Sequence, residues 1–208
     1  MKLYLTPHAC SMAVDIVARD AGIPLELIWV DVRNKKLKDG SDYYRINPKG
    51  QVPALETDDG AFITEGGVII QHLLDSTPGH NLLSPELSLE RYRVLEWISF
   101  ISSELHKGFT PLFRPTTPPE YREIAIENLR KRFAWLDSVL AKQPYLCGDA
   151  FTAADAYCYT IMMWSDLHKL DMSDYPNVLA YLDRVASRPS VQGAIDAEQA
   201  ELASKADA

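Results

Sequence analysis

The sequence predicts a small α/β domain followed by an all-helical bundle, a fold of the α/β + all-α class. Strand and helix patterns alternate over residues 1–77, and strand patterns do not return after residue 88. A segment rich in turn-forming residues separates the two regions. The 208 residues are enough for two small domains that each bury a core.

Composition and charge exclude several classes of protein. Hydrophobic residues make up 47% of the chain and charged residues 24%, which is typical of a globular protein. The net charge of −8 disfavours a nucleic-acid partner, because such binding depends on clustered Lys and Arg. Charges interrupt the first twenty residues, and no later apolar run reaches the roughly 20 residues that span a bilayer. We therefore expect a cytoplasmic protein without nucleic-acid or membrane partners.

The three cysteines are too few and too unevenly spaced for a disulfide framework or a Cys-rich zinc site: Cys10, Cys147 and Cys158. We therefore expect no metal site, and any cysteine chemistry belongs to a single thiol.

The first elements of the predicted α/β domain form a βαβ unit. Residues 2–6 alternate in polarity and stop at Pro7, which predicts a short strand and a turn. Residues 11–22 then follow a helical period and end at a glycine. Residues 25–30 predict a second strand, parallel to the first because a helix connects the two.

The rest of this domain is predicted as a loop, a hairpin and a helix. Residues 33–42 form a basic polar loop. Residues 52–56 and 61–63 flank an Asp-Asp-Gly turn, which predicts a β-hairpin, and residues 66–76 predict a helix. The predicted order is β-α-β-loop-β-β-α, in a domain of residues 1–77.

Residues 77–88 are the predicted linker, and residues 88–208 form the predicted helical domain. Its helices are predicted between prolines, at residues 89–113, 119–142, 152–168 and 177–187. The Ala-rich charged tail, residues 198–208, is expected to fray. Thr152 and Asp155 predict a structural capping box at the start of the third helix.

Cys10 lies between the first strand and the first helix. Backbone N–H groups and the helix dipole stabilise an anion there and can lower the pKa of a thiol, so Cys10 is a candidate nucleophile. The alternative is a small packing residue. Ser11 could present a hydroxyl to the same point, and Ala13 excludes a Cys-x-x-Cys motif.

Two backbone features of the α/β domain could bind a peptide-like ligand. Pro53 begins a strand, so the backbone of Val52 could turn outward and pair with a ligand; the alternative is a plain edge strand. Glu65 and Gly66 begin a helix whose first N–H groups favour a carboxylate, and the alternative is simple helix initiation.

The helix around residue 101 carries two stripes. The apolar residues Trp97, Ile101 and Leu105 repeat every four positions and are expected to face the core. Ser99, Ser102, Ser103 and His106 form a polar stripe beside them that could line a cleft or a dimer contact. The imidazole of His106 could assist a thiol, or His106 could be a structural residue.

Several motifs together resemble the cytosolic glutathione transferases over nearly the whole chain. They are Pro-x-x-Cys at 7–10, Asn-Pro-x-Gly-Gln-Val-Pro-Ala-Leu at 47–55, Glu-Gly at 65–66 and Thr-Ala-Ala-Asp at 152–155. Residues 102–107, Ser-Ser-Glu-Leu-His-Lys, together with Cys10, resemble the bacterial beta class in particular.

The resemblance implies a thioredoxin-like first domain that binds glutathione and a helical second domain that contributes the acceptor-substrate pocket. It also implies a homodimer whose partners are glutathione and a hydrophobic electrophile. Glutathione would be a co-substrate, and no cofactor would be bound permanently.

The resemblance also implies roles for individual residues. Cys10 and His106 would be catalytic, with Cys10 facing the sulfur of glutathione. The glutathione-binding residues would be Lys35, Gln51, Val52, Pro53, Glu65, Gly66, Ser103 and Lys107, with Pro53 in the cis form. Variable side chains of the helical domain, namely Phe109, Phe113 and Trp164, would line the acceptor pocket.

Two positions depart from the family pattern. Most relatives have Ser where this chain has Gly66, so a hydroxyl contact to the γ-glutamyl carboxylate is missing, although the backbone N–H can still bind it. His8 is bulkier than the small residues expected there, and it is expected to shape the acceptor pocket or to add a proton donor.

Three hypotheses of function follow. The first is conjugation of glutathione to electrophilic small molecules. The second keeps the site but uses a Cys10 mixed disulfide, for thiol transfer or reductive dehalogenation. The third is a non-catalytic ligand-binding protein. Retention of Cys10, Val52-Pro53, Glu65 and His106 together argues against the third.

Overall fold

The computed structural model describes residues 1–84 and 87–206, which form two compact units. The first comprises Met1–Leu82 and Arg188–Ala208, and the second comprises Leu83–Ser187. Two residues of the predicted linker, 85 and 86, and the end of the predicted tail, 207 and 208, lie outside the described residues. The last segment of the chain thus groups with the first unit, whereas the sequence places it in the second domain.

The first unit contains a mixed sheet of five strands within the described residues: β1 (Lys2–Leu5), β2 (Glu26–Asp31), β3 (Lys36–Leu37), β4 (Ala54–Glu56) and β5 (Phe62–Thr64). The strand order is β3-β2-β1-β4-β5. Strands β1 and β2 are parallel, and the other neighbours are antiparallel. The βαβ unit and the hairpin are therefore confirmed. The sequence did not predict β3, because two residues are too short for a strand pattern.

Helices α1 (Met12–Asp20) and α2 (Gly66–Asp75) belong to this thioredoxin-like unit and pack against each other. Every residue of α1 from Met12 to Ala18 is buried, so the helix lies deep in the core. A 3₁₀ turn at Tyr43–Arg45 follows β3 and places Tyr43 in an apolar cluster on one face of the sheet. The 3₁₀ turn is thus held against the sheet by its buried tyrosine.

The expectation that the tail frays is wrong for its described part. Pro189–Ala206 form one helix, α9, which packs against α1. At its start, Arg188 and Ser190 donate hydrogen bonds to the carboxylate of Asp20, at 2.8 and 2.6 Å. The Ala-rich charged composition suggested fraying, but two acids of the tail, Glu198 and Glu201, are buried and paired within this unit.

The second unit is helical throughout its regular elements. They are α3 (Leu89–Phe100), a π-helical segment (Ile101–His106), α4 (Lys107–Phe113), α5 (Pro119–Leu140), α6 (Ala153–Met162), α7 (Trp164–Leu167) and α8 (Pro176–Ala186). The predicted helix at 152–168 is interrupted at residue 163. No described helix is both long and apolar enough to cross a bilayer.

The helix around residue 101 contains a π-helical segment, and its predicted apolar row is only partly buried. The N–H of Lys107 donates to the carbonyl of Ser102, five residues earlier, so the turn holds one extra residue. Ile101 and Leu105 are fully buried, as predicted. Trp97 is only half-buried and stacks on Trp135 with ring centroids 5.0 Å apart, so the prediction that it faces the core is wrong.

The predicted capping box at the start of α6 is confirmed. The carboxylate of Asp155 is fully buried and accepts hydrogen bonds from both the N–H and the hydroxyl of Thr152, each at 2.8 Å. It also accepts from the N–H of Leu146 at 2.9 Å and from the hydroxyl of Tyr181 at 3.2 Å. One carboxylate therefore links α6, α8 and the loop before α6.

We expect Asp155→Ala to lower the free energy of unfolding by about 3 to 5 kcal/mol, because it leaves several buried donors unpaired. Urea denaturation measures the change. Asp149→Ala, an exposed position on the same loop, is the control and should change stability by less than about 0.5 kcal/mol. Similar effects at both positions would contradict this role for Asp155.

Candidate functional site

Cys10 lies in the turn between β1 and α1. It is half-buried, and its carbonyl accepts a hydrogen bond from the N–H of Ala13 at 3.2 Å, so the turn leads directly into the first helix. Its thiol donates to the carbonyl of Val52 at 3.5 Å. The sulfur therefore lies beside the backbone of the predicted ligand-pairing residue.

The expectation that Ser11 presents its hydroxyl beside Cys10 is wrong. Ser11 is fully buried, and its hydroxyl donates to the carbonyl of Thr6 at 3.4 Å. The same oxygen accepts from the N–H of Thr6 at 3.3 Å. Ser11 therefore closes the turn that carries Cys10.

Residues 47–53 form the backbone segment opposite the thiol. The carbonyl of Gln51 accepts from the side-chain amide of Asn47 at 2.7 Å and from the hydroxyl of Tyr43 at 2.8 Å. Asn47 is 1% exposed and Tyr43 is fully buried, so both donors are held by packing. The Val52–Pro53 peptide bond is cis, in agreement with the resemblance. Pro53 is buried, whereas the side chain of Gln51 is exposed.

Lys35 lies against the same segment. Its ammonium donates to the carbonyl of Gly50 at 2.6 Å, and its backbone φ is 58°. A lysine ammonium carries three donors, so this bond leaves Lys35 able to bind a carboxylate. The basic loop is thus attached to the segment that ends at Pro53.

Glu65 and Gly66 begin α2 beside Pro53. A Cβ added at Gly66 would lie 3.6 Å from Cγ of Pro53, so the helix start contacts the proline ring. Glu65 has a φ of 71° and is exposed, and its carboxylate pairs with the ammonium of Lys49. The N–H groups of Gly66 and Gly67 lie at the start of α2, where the helix geometry favours an anion.

His8 is exposed and has a φ of 60°. Its backbone N–H donates to the carboxylate of Glu198 in α9 at 2.9 Å. This hydrogen bond fixes the backbone of His8 and, with it, the turn between Pro7 and Cys10.

In the second unit, His106 ends the π-helical segment. Its Nδ1 lies 2.8 Å from the hydroxyl of Tyr157, and its ring contacts Trp164 edge-on, with centroids 4.9 Å apart. These two contacts fix the plane of the imidazole.

The aromatic residues predicted for the acceptor pocket form one cluster. Phe113 contacts Trp164 and His168 with centroids 4.8 and 4.4 Å apart, and Phe113 is 43% exposed. Burial lowers the pKa of His168, with the charge of Arg122 acting in the same direction. Phe109 is fully buried and contacts Trp164, so it packs on the buried side of the cluster.

Ser103 and Lys107 are both exposed on the second unit. The hydroxyl of Ser103 donates to the carbonyl of Ser99 at 3.1 Å. Ser103 lies within the π-helical segment and Lys107 directly follows it, so the wider turn affects the direction in which both side chains leave the helix.

Sequence reasoning missed the residues that hold these groups in place: Tyr43, Asn47, Lys49, Tyr157 and Glu198. The Asn-Pro-x-Gly motif contained Asn47, but nothing in the spacing showed its partner. The other four lie far from their partners along the chain or on a different element.

We expect Gly50→Ala to lower the melting temperature more than Gly40→Ala does. Both glycines have positive φ, 62° and 83°, and an L residue there costs about 1 kcal/mol. A Cβ at Gly50 would lie 2.7 Å from the ring of Tyr44, whereas none of the described atoms would lie within 4 Å of one at Gly40. Thermal unfolding should show an extra loss of about 1 to 3 kcal/mol at Gly50. Equal losses would contradict the close packing of this segment.

Comparison with known proteins assigns both units. Residues 9–76 match the family model for the glutathione S-transferase N-terminal domain, and residues 100–189 match that for the C-terminal domain. The chain is 46% identical over 198 residues to glutathione S-transferase GstA of Escherichia coli O157:H7, covering 95% of this chain and 98% of that relative.

Solved structures agree with these matches. A sphingomonad glutathione S-transferase complexed with glutathione superposes with a TM-score of 0.92 at 40% identity, covering 96% of this chain and 99% of that one. A bacterial beta class glutathione S-transferase of Sphingomonas chungbukensis also gives 0.92, at 38% identity, covering 95% and 98%. The chain therefore belongs to the glutathione S-transferase family of enzymes, and within it to the bacterial beta class.

Proposed function

We propose that this transferase conjugates glutathione to hydrophobic electrophilic small molecules, with Cys10 facing the glutathione thiol. The observation that carries the proposal is the contact between the thiol of Cys10 and the carbonyl of Val52. A peptide ligand that pairs with the backbone of Val52 would bring its own sulfur close to Cys10. A hydrogen bond from one thiol to the other as a thiolate would then hold the nucleophile ionised at neutral pH.

The remaining contacts in the first unit suit the two carboxylate ends of glutathione. The N–H groups at the start of α2, next to Glu65 and Gly66, would hold the γ-glutamyl carboxylate, and Glu65 would pair with the γ-glutamyl amine. The ammonium of Lys35 would meet the glycyl carboxylate while it keeps its bond to Gly50. Gln51 adjoins the pairing residue and adds an exposed amide.

To the second unit the proposal assigns polar contacts to glutathione and apolar contacts to the acceptor. His106, Ser103 and Lys107 would supply the polar contacts, with the imidazole held in place by Tyr157. Phe113 and Trp164 would contact the acceptor, and Phe109 would support them. His8, exposed at the Cys10 turn, would contact the acceptor as well.

Glutathione is then a co-substrate and not a resident cofactor. The similar sphingomonad enzyme was solved in complex with glutathione, which supports this part of the proposal. We also propose that the enzyme is a homodimer and that it is located in the cytoplasm.

A second reaction uses the same thiol. The Cys10 thiolate would attack the glutathionyl sulfur of a mixed disulfide, release the other thiolate and form a Cys10–glutathione disulfide. A glutathione thiolate would then attack that bond, regenerating Cys10 and releasing glutathione disulfide. The position of Cys10 next to the start of α1 supports this alternative, because a helix N-terminus favours a thiolate. In reductive dehalogenation, a glutathione thiolate would first displace the halide, and the Cys10 thiolate would then attack the glutathionyl sulfur while the released carbon takes up a proton. A second glutathione thiolate would resolve the Cys10–glutathione disulfide and release glutathione disulfide.

A non-catalytic glutathione-binding protein is the third alternative. It would be retained on immobilised glutathione and would neither conjugate nor reduce any substrate. Turnover in either assay below excludes it.

We expect Cys10→Ala to separate the two reactions. Reduction of a glutathione mixed disulfide should fall by more than about a hundredfold, because the attacking atom is lost, while conjugation of an aromatic halide should fall by less than about tenfold. Steady-state rates in the two assays measure this difference.

Cys147→Ala is the matched control. Burial and the nearby charge of Asp155 raise the pKa of Cys147 to about 11, so it stays a protonated thiol at neutral pH. Its replacement should leave both rates unchanged. If both rates of Cys10→Ala also matched the wild type, Cys10 would not have the proposed role.

A further inference from the structure

Helix α9 buries two carboxylates that the reaction does not use. Glu198 is 5% exposed and Glu201 is 4% exposed, one turn apart on the same helix. Acidic side chains are almost never buried unless they are paired, so each burial needs a reason. Both residues find their partners on loops of the first unit.

Glu198 binds the Cys10 turn. Its Oε2 accepts the backbone N–H of His8 at 2.9 Å, two residues before the thiol. Within residues 1–84 and 87–206 its other oxygen, Oε1, is buried and has no hydrogen-bond partner. The carboxylate therefore holds one backbone group of this turn, at a place where the chain has a positive φ.

Glu201 binds the basic loop. Its Oε2 accepts from the ammonium of Lys38 at 2.5 Å, and its Oε1 lies 3.3 Å from the ammonium of Lys205. Lys38 follows Lys35 by three residues, with β3 between them. The ammonium of Lys35 in turn binds the carbonyl of Gly50. Glu201 is thus linked to the backbone before Val52 in two steps: it binds Lys38, and Lys35 on the same loop binds the carbonyl of Gly50.

We propose that α9 positions two of the segments that bind glutathione in this enzyme, with Glu198 holding the Cys10 turn and Glu201 holding the Lys35 loop. This inference rests on the proposed function, because it concerns the same site. Neither carboxylate is assigned a contact to substrate. Each acts through a backbone or side-chain contact to a loop, so both are positioning residues.

The two contacts act on different parts of the reaction. Lys35 is assigned to a terminal carboxylate of glutathione, so a loosened Lys38–Glu201 pair weakens ground-state binding. Cys10 is assigned to the reacting sulfur, so a loosened His8–Glu198 bond slows the chemical step.

Lys38→Met tests the first contact by changing the exposed partner of the pair, so that Glu201 itself stays in place. We expect KM for glutathione to rise by about threefold to tenfold, with kcat at saturating glutathione within about twofold of the wild type. Lys38→Arg keeps a cation and should restore KM. Lys36→Met, at the exposed lysine of β3 two residues earlier, is the matched control and should change neither constant.

The outcomes distinguish this inference from the proposed function. If the wild type binds and conjugates glutathione while Lys38→Met and Lys36→Met behave alike, the inference is wrong and the proposed function stands. If titration calorimetry detects no glutathione binding by the wild type, the proposed function is wrong and the inference falls with it.

Two variants of Glu198 test its role as the hydrogen-bond acceptor for the backbone N–H of His8. Glu198→Gln keeps a carbonyl oxygen for the N–H of His8, and Glu198→Ala does not. At pH 8 we expect Glu198→Ala to lower kcat by about tenfold and Glu198→Gln to lower it by less than about threefold. If Glu198→Ala does not fold, kcat of Glu198→Gln together with hydrogen exchange at the His8 amide decides the matter. An unprotected His8 amide in the wild type contradicts the proposal.

The charge on Glu198 adds a pH dependence to this contact. The groups that act on its carboxylate are the backbone N–H of His8 and the carboxylate of Asp15, which is itself paired with Arg19 of α1. Burial raises the pKa of Glu198 to about 7; the His8 N–H opposes the rise and the Asp15 charge adds to it.

The sign of the effect on stability follows from that direction. Since the folded protein holds the proton of Glu198 more tightly than the unfolded chain, stability relative to Glu198→Gln is greatest below about pH 4.5. This stability difference falls as the pH rises to about 7, and it is constant at higher pH. Urea denaturation at several pH values measures this difference, with Asp196→Asn on the exposed face of α9 as the control. A difference that does not change with pH would contradict a buried, titrating Glu198.

Discussion

The hydrogen bonds to the carbonyl of Gln51 are the constraint on which the candidate site depends. One donor is the buried amide of Asn47 and the other is the buried hydroxyl of Tyr43, so the carbonyl is held from two directions by groups that cannot move away. A buried amide or hydroxyl that lost this acceptor would remain unpaired, which costs about 1 to 3 kcal/mol. The path of residues 47–53 is therefore determined by the core of the first unit.

The other site groups of this unit attach to that segment in sequence. Lys35 binds the carbonyl before Gln51, the thiol of Cys10 binds the carbonyl after it, and Gly66 packs against the proline that follows. A ligand that pairs with Val52 thus meets a thiol, a cation and a helix start at fixed positions. Preorganisation of this kind reduces the ordering that binding would otherwise require.

Polar groups in the two units are oriented by different means. In the first unit, buried carboxylates of α9 and the carbonyls of residues 47–53 hold the loops. In the second unit, the extra residue of the π-helical turn and the bond to Tyr157 set the direction of His106. Buried polar groups of this kind are stabilising only when they are paired, so each also restricts the sequence around it.

Sequence patterns alone determined the two-part fold class, the βαβ unit, the hairpin and the capping box at Thr152 and Asp155, because these depend on local periods and short-range turns. They also identified Cys10, Val52, Pro53, Glu65 and His106 as members of a family motif. Only the tertiary structure decided that Ser11 faces inward, that Trp97 leaves the core and that the last helix belongs with the first unit. It also supplied the partners Tyr43, Asn47, Tyr157 and Glu198. Those facts depend on contacts between residues far apart in the chain, and no local period encodes which distant groups will meet.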